Sequence, residues 1–287
     1  MDTKLKLLPA VAAISVLSAC GGGGGGGGGG ETLNGVFIDS AVQGVRWVAG
    51  DLSGTTDSAG TFQYKRGNTV EFYIGDILLG SATGDSVVMP LDLVDGASDI
   101  SNATVTNIGR LLITLDNDGD PDNGIVITEA VAALAADETV DFAQSTTDFG
   151  NSGAIQVLVS TLTGATDAGA RTLTTAVAAQ DHMEDSITDL LAGSYSGTFS
   201  GDSRGSWSGT INSSGVFSGT ATDSEGEISA FLGTVSTNGS GSTDFETSGG
   251  VSDGTTFEGT FDPNGSASGT WTWFGQENGT WQGSKAD

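Results

Sequence analysis

Gly-Thr pairs recur between Gly197 and Thr280, and the spacing of seven of them constrains the fold of this chain more than any other feature. These seven pairs start 10 to 14 residues apart except for one 26-residue step, from Gly233 to Gly259, which contains the further strand-like run Thr243–Thr247. Turn-forming dipeptides such as Asn264-Gly265 separate the runs. Short runs at this spacing, joined by such turns, are typical of consecutive antiparallel strands. The repeat therefore predicts eight strands.

The phase of these runs indicates how the strands are arranged. In Tyr195–Phe199 the two outer aromatic residues and the central glycine share one face, while Ser196 and Thr198 take the other. An apolar face with no helix left to cover it is covered either by the sheet closing on itself or by its folding into two sheets. We therefore expect an antiparallel up-and-down barrel of eight strands, filled by side chains or holding one small ligand. The same phase recurs in Trp207–Ile211, Phe217–Ala221, Phe231–Val235 and Phe257–Phe261, with Leu232 as an exception.

Three tryptophans, Trp271, Trp273 and Trp281, cluster near the end of the predicted barrel. The i,i+2 spacing of Trp271 and Trp273 places them on one face of a strand. They form either an aromatic platform that stacks on a sugar or lines a pocket, or a plug that fills the barrel. The three residues are therefore candidate ligand-binding residues.

The first 33 residues have the pattern of an export signal and a tether. Residues 1–19 combine Lys4 and Lys6 with an apolar stretch, as in a signal peptide. Leu17-Ser18-Ala19-Cys20 resembles the bacterial lipobox, which implies cleavage before Cys20 and its lipidation. Ten glycines follow, and residues 20–33 form a flexible linker by composition. This beginning resembles the surface lipoproteins of Gram-negative bacteria, and the resemblance implies an anchor in the outer membrane, facing the periplasm or the cell surface.

Residues 34–194 predict a β-sandwich-like module followed by helices. Several runs of four to eight residues are rich in β-branched and aromatic residues and alternate with turn signals, which favours a small antiparallel sandwich. The segment Gly54–Phe62 resembles the turn of carboxypeptidase-regulatory-like and other Ig-like modules, which stabilise or bind and rarely catalyse. The segment Met89–Ile127 resembles a recurrent module of bacterial surface lipoproteins, with a P-L-D-L-V strand, a short R-L-L helix and an acidic loop. That resemblance covers about residues 34–190 and implies location rather than activity.

The acidic loop is the most chemically informative part of this module. Asp116, Asp118 and Asp120 alternate along the chain, and an alternating acidic turn directs several carboxylates to one centre, as Ca²⁺ requires. An EF-hand would have Gly and Glu where this chain has Pro121 and Ile127, so the match is partial. The alternative is a solvated acidic surface loop. The predicted ligands of a Ca²⁺ site are Asp116, Asp118, Asp120, Asp122, Asn123 and Glu129.

Three helices are expected after this loop. Thr128 is a candidate cap for a short alanine-rich helix, Ala154–Leu162 predicts a second, and Leu173–Leu191 carries an approximate apolar stripe. His182 and Asp185 lie one turn apart on the third helix. Their spacing fits a base with its orienting acid, but a surface histidine paired with acids is the interpretation that the sequence favours.

Composition excludes several function classes. The chain has 36 Asp and Glu against 9 Lys and Arg, a net charge of −27, which disfavours nucleic-acid binding because that needs a cationic face. A single cysteine and a single histidine exclude internal disulfides, zinc-thiolate clusters and histidine metal triads. No catalytic constellation emerges, so an enzyme is not expected.

The sequence thus predicts a mainly β protein with a small helical part: the module of residues 34–194, then the barrel of residues 195–287. The architecture loosely resembles lipoproteins that bind host proteins through a C-terminal eight-stranded barrel, and no motif transfers a binding residue. We expect a lipid-anchored outer-membrane protein that binds an unidentified protein or small molecule. Two alternatives stay open: a structural or adhesive envelope protein with a solid barrel, and a carboxylate-dependent hydrolase.

Overall fold

The computed structural model describes residues 30–236, 245–251 and 254–286. The predicted signal peptide, Cys20 and most of the glycine run lie outside these residues, as does part of the strand-like run Thr243–Thr247. Within the described part, the fold is mainly β with five α-helices, and it ends in a closed barrel of eight strands. The predicted fold class is confirmed.

The N-terminal module contains nine strands in three small sheets. One sheet has the order β5-β1-β8, a second has the order β4-β3-β6-β7, and β2 pairs with β9. The strands are β1 (Thr32–Phe37), β2 (Val42–Gln43), β3 (Arg46–Ala49), β4 (Leu52–Thr55), β5 (Thr61–Lys65), β6 (Thr69–Ile74), β7 (Ile77–Thr83), β8 (Val87–Val88) and β9 (Ile125–Val126).

Aromatic side chains join the two larger sheets. The ring of Phe37 on β1 stacks on that of Phe72 on β6 with centroids 4.6 Å apart, and Phe62 on β5 meets Phe72 edge to face at 5.1 Å. The module is therefore sandwich-like, as expected. It is not wholly antiparallel, because β1 pairs with β8 and β2 pairs with β9 in parallel.

The helices follow the sheets and pack against the same core. Short polar side chains cap them at their N-termini: the Asn102 amide oxygen accepts the N–H of Thr104, and the Thr128 hydroxyl accepts that of Val131. The helix Thr146–Asn151 was not predicted, because its six residues are too few to show a helical period. The helices are α1 (Ala103–Thr114), α2 (Glu129–Leu134), α3 (Thr146–Asn151), α4 (Gly153–Thr163) and α5 (Ala176–Leu191).

The expected P-L-D-L-V strand is wrong. Pro90–Val94 forms turns that follow β8 directly. The Asp92 carboxylate accepts the backbone N–H of Met89 (2.7 Å), and the Asp92 N–H donates to the Met89 carbonyl (3.0 Å). These two bonds close a turn where a strand would need an extended chain.

The C-terminal barrel is an antiparallel meander closed by its first and last strands. Every strand pairs with the next in sequence, and β10 pairs with both β11 and β17. The predicted up-and-down topology is confirmed. The strands are β10 (Gly193–Gly201), β11 (Gly205–Ile211), β12 (Val216–Asp223), β13 (Ile228–Ser236), β14 (Phe245–Val251), β15 (Thr255–Phe261), β16 (Ser266–Trp273) and β17 (Glu277–Lys285).

Central glycines oppose one another across the barrel wall, and aromatic rings lie against them. Gly259 pairs with Gly269, and a methyl group placed on either would come within 2.4 to 2.6 Å of the Trp281 indole. Gly249 pairs with Gly233 and has the same relation to the Phe257 ring, at 2.5 Å. Because these glycines have no side chain, the rings pack directly against the backbone of the wall. The glycines also allow the wall to coil.

One end of the barrel rests on the N-terminal module. Met183, Ile187 and Leu191 of α5 are buried in one cluster with barrel residues that include Tyr195 and Phe261. Polar contacts cross the same junction: the Lys285 ammonium donates to the carbonyl of Leu190 (2.8 Å). The hairpins at the opposite end of the barrel point away from the module. In the described part of the chain, no helix has the length and apolar character needed to cross a membrane.

Candidate functional site

A cavity of about 430 Å³ opens at the free end of the barrel. This volume lies within the range of pockets that hold small ligands. Eight of its fifteen lining residues are aromatic, so the cavity is a ring-walled space rather than a polar cleft. The aromatic lining residues are Phe199, Trp207, Phe217, Phe231, Phe257, Trp271, Trp273 and Trp281.

The barrel interior is packed at one end and open at the other. Toward the module, Tyr195, Phe217 and Phe261 are buried, and the Phe261 ring meets Tyr195 and Phe217 edge to face with centroids 4.9 and 5.1 Å apart. Burial raises the pKa of the Tyr195 phenol to about 12, so this hydroxyl stays protonated and donates to the Leu191 carbonyl (3.0 Å). The floor of the cavity is therefore solid and apolar.

All three predicted tryptophans line this cavity. Trp271 and Trp281 are buried in its wall, while Trp273 is 38% exposed at the mouth and its ring centroid lies 5.2 Å from that of Phe274. The sequence offered a choice between a platform and a plug. The structure places the three rings around a space, with Trp281 against glycines of the wall.

The indole N–H groups deeper in the cavity point into the wall. Trp207 donates to the Gln282 carbonyl (3.2 Å) and Trp271 donates to the Ser200 carbonyl (3.2 Å). Trp281 donates to the Glu258 and Thr270 carbonyls (3.1 and 3.2 Å). These bonds fix the orientation of the rings and leave ring surface, rather than N–H donors, for a ligand.

The polar groups of the lining gather at the mouth. Asp223 ends β12 and Glu227 precedes β13, so both flank the same hairpin. The Asp223 carboxylate accepts the N–H groups of Glu225 (2.9 Å) and Glu227 (2.8 Å), which holds this hairpin in shape. Hydroxyl-bearing lining residues complete the polar part: Ser203, Ser229 and Thr255.

Five of the six predicted Ca²⁺ ligands lie in one loop, and Asp116 and Asp118 of that loop have different hydrogen-bond partners. Asp116 is buried and its carboxylate accepts the backbone N–H groups of Gly119 (2.8 Å), Asp120 (3.0 Å) and Val126 (2.9 Å). Burial raises the pKa of Asp116. Asp118 accepts the side-chain N–H of Asn123 (3.0 Å) and the backbone N–H of Asp120 (2.9 Å), and these bonds lower its pKa.

The other three acids of the loop region are exposed, as Asp118 is. Asp120 precedes the 3-10 turn Pro121–Asn123, Asp122 lies within it, and Glu129 is in the first turn of α2. A protein cation already contacts this loop, because the Arg171 guanidinium donates to the Asp116 carbonyl. Among the described residues, no three His, Cys, Asp or Glu side chains are grouped so as to hold a metal ion.

His182 is not the surface residue that the sequence favoured. It is buried, and its ring lies between two acids that are distant in sequence: Nε2 is 3.6 Å from Asp39 Oδ1 and Nδ1 is 3.5 Å from Asp122 Oδ1. The Ser40 hydroxyl is 3.5 Å from Nε2. The expected pairing with Asp185 is replaced because α5 turns this face of the helix toward the loop after β1, a long-range contact that local spacing does not reveal.

Asp39 is the most unusual group of this cluster. It is buried, and neither carboxylate oxygen has a hydrogen-bond partner within the described part of the chain. Desolvation raises its pKa to about 6, and the neighbouring His182 partly offsets that rise. Neither Asp39 nor Ser40 nor His182 lines the barrel cavity or the second cavity, of about 270 Å³, between module and barrel.

Comparisons with known proteins give a weak likeness to solved structures and nothing more specific. No family model matches the chain, and no curated protein matches it. Among solved structures, the chain is similar to a de novo designed fluorescence-activating β-barrel, with 12% sequence identity and a TM-score of 0.29. The likeness covers 35% of this chain and 97% of the designed one.

Proposed function

We propose that this protein is a lipid-anchored component of the bacterial outer membrane whose C-terminal barrel binds a small ligand in the cavity at its free end. The observation that carries the proposal is the ring-walled space of about 430 Å³, closed toward the module and open toward solvent. A solid barrel, as the adhesive alternative requires, would have no such space. The cavity supports binding without assigning a reaction.

Cavity-filling substitutions test the binding role. Ala221 lines the cavity, whereas the residue before it on β12, Thr220, is exposed on the outer face of the barrel. We expect Ala221→Trp to weaken binding of the neutral dye prodan by at least about tenfold, because the new indole occupies ligand space. Thr220→Trp adds the same ring outside and serves as the matched control. Ser229→Trp, on the neighbouring strand, fills the same space from another side.

The readout is prodan fluorescence, with thermal unfolding used to confirm that each variant is folded. Loss of binding in both filling variants, with binding kept in Thr220→Trp, supports the cavity as the site. Equal affinity in all four proteins, or a wild type that binds neither prodan nor a charged dye of similar size, would contradict the proposal.

The anchor is proposed from the sequence alone. The Leu17–Cys20 lipobox supports it, and the adjoining glycines provide a tether between the acylated cysteine and the folded module. Expression in a Gram-negative host with radiolabelled palmitate tests it. We expect label in the outer-membrane fraction for the wild type and none for Cys20→Ser. Label retained in Cys20→Ser would contradict the assignment of Cys20.

Ca²⁺ binding by the loop at Asp116–Asn123 is also proposed. The density of carboxylates supports it, since clustered like charges favour a bound cation. The competing account is that backbone N–H groups and Arg171 already satisfy the loop. Calorimetric titration of the full chain at low salt distinguishes the two. Saturable heat that is lost in Asp118→Asn/Asp120→Asn supports the metal, and no heat at millimolar Ca²⁺ contradicts it.

A further inference from the structure

The charge at the mouth of the barrel cavity has one sign. Its ionisable lining residues are Asp223 and Glu227, and no lysine, arginine or histidine is among the lining residues. Arg204, on the neighbouring hairpin, is exposed and lies outside the lining. Lys285 is at a position of β17 whose side chain faces the barrel interior. It lies at the end of the barrel next to the module, where its ammonium donates to the Leu190 carbonyl. A ligand in the cavity therefore meets negative charge with no cation of the lining to balance it.

The deeper walls favour the same kind of ligand. The indole N–H groups of Trp207, Trp271 and Trp281 are used by wall carbonyls, so the rings offer their surfaces to the cavity. The face of an aromatic ring is electrically negative and attracts cations, most strongly when water is excluded. The carboxylates at the opening attract a cation to the mouth, and the ring faces beside them add to that attraction.

An anion would find no such support. It would lie beside two carboxylates, and the rest of the polar lining consists of hydroxyl groups. The Asp223 carboxylate is held by two backbone N–H groups of its own hairpin, which keeps that charge at the mouth. A neutral apolar ligand would gain ring contact but nothing from the two charges.

We propose that the cavity binds a small organic cation, with an amine or quaternary ammonium group attached to a flat apolar body. The flat body packs between the rings and the positive charge lies near Asp223 and Glu227. This inference rests on the proposed ligand-binding function and adds the chemical class of the ligand.

Three fluorescent dyes of similar size and different charge test it: thioflavin T is a cation, prodan is neutral and 8-anilinonaphthalene-1-sulfonate is an anion. With the full chain at low salt, we expect thioflavin T to bind about tenfold more tightly than prodan, which corresponds to the usual strength of desolvated cation–π contacts. The anion is expected not to bind. Raising the salt concentration weakens thioflavin T binding and leaves prodan binding unchanged.

The hairpin at the mouth provides matched variants. Glu227→Gln removes a lining charge, and Glu225→Gln removes an exposed charge two residues away that does not line the cavity. Asp223→Asn keeps the oxygen that accepts the two N–H groups of the turn, so the hairpin is expected to stay folded. We expect Glu227→Gln and Asp223→Asn each to weaken thioflavin T binding by about threefold or more, with Glu225→Gln and prodan binding unaffected.

The outcomes separate the two proposals. Prodan binding with no advantage for the cation overturns the cation assignment and leaves the binding function intact. A cation advantage that survives in both lining variants, or that falls equally in Glu225→Gln, also overturns it, because the net charge of −27 would then be the cause. Absence of binding by all three dyes overturns the binding function itself.

Discussion

At the scale of single residues, glycine and aromatic side chains divide the barrel wall between them. Gly249 lies under the Phe257 ring, and Gly259 and Gly269 lie under the Trp281 indole. A ring that lies along the wall lines the interior without filling it. The space in the barrel is therefore a consequence of where the glycines are placed, and it depends on their having no side chain.

Two adjacent glycines of β14 test this account. A methyl group at Gly249 would lie 2.4 Å from the Leu232 carbonyl oxygen and 2.5 Å from the Phe257 ring, whereas at Gly250 the nearest atom is the Thr255 carbonyl oxygen at 3.5 Å. We expect Gly249→Ala to lower the free energy of unfolding by about 1–3 kcal/mol through overpacking. Gly250→Ala is expected to change it by less than about 1 kcal/mol. Denaturant unfolding measures both, and equal effects would contradict the account.

The buried Asp39 carboxyl gives the stability of the protein a defined pH dependence. Its pKa is raised from 3.8 to about 6 by burial, so between these values the folded state holds a proton that the unfolded chain has released. Stability from this group is therefore present at low pH and is lost as the pH rises through this window, by about 3 kcal/mol at most. We expect Asp39→Asn to raise the unfolding temperature at pH 8 and to have little effect near pH 4.

The control for this variant is Asp181→Asn, which removes an exposed charge from the same neighbourhood of α5. It is expected to behave like the wild type at both pH values. A destabilised Asp39→Asn protein at pH 8 would contradict the account, because it would show that the ionised carboxylate stabilises the fold, through His182 or otherwise.

At the scale of secondary-structure elements, short polar caps position the helices of the module. The Thr128 hydroxyl accepts the Val131 N–H at 3.2 Å, and Val131 is fully buried one turn into α2. We expect Thr128→Ala to lower the free energy of unfolding by about 1 kcal/mol, since the cap bond is lost. Thr128→Ser keeps the hydroxyl and is expected to cost a few tenths of that. Equal losses in the two variants would exclude the cap as the cause.

Elements with a local signature could be predicted from the sequence, and those made by distant partners could not. The barrel strands repeat one phase, so their number and inward faces were evident, and Thr128 was a recognisable cap. The parallel pairing of β1 with β8 and β2 with β9 depends on how the chain crosses over, which no short segment encodes. His182 beside Asp39 is likewise a contact across 143 positions. The cavity also depends on distant contacts, because its aromatic rings pack against glycines of other strands.

At the scale of the whole molecule, the module closes one end of the barrel. Leu191 of α5 is buried in the cluster shared by both parts, and the Thr188 hydroxyl of the same helix donates to the Ser213 carbonyl (3.4 Å). Three acids approach one another at the same junction: Asp92 is largely buried with its pKa raised to about 6 by desolvation, and Asp85 and Asp262 raise it further. The two predicted parts thus share a core.

Shared burial predicts that module and barrel unfold together. Four of the five tryptophans lie in the barrel, and all the α-helices described belong to the module. We expect tryptophan fluorescence and helical circular dichroism to follow one transition. Leu191→Ala leaves a cavity in the shared cluster. We expect it to lower the free energy of unfolding by about 2–5 kcal/mol, by the same amount whether unfolding is followed by fluorescence or by circular dichroism. Two separate transitions, or a shift confined to one signal, would contradict the shared core.

The most direct test of the central claim is fluorine NMR of the full chain with all five tryptophans replaced by 5-fluorotryptophan. Prodan is added to saturation and each resonance is assigned by substitution. If the barrel cavity is the binding site, the resonances of Trp271, Trp273 and Trp281 shift while that of Trp47, in the module, stays in place. A shift of Trp47 alone, or prodan bound without any change at the barrel tryptophans, would contradict it.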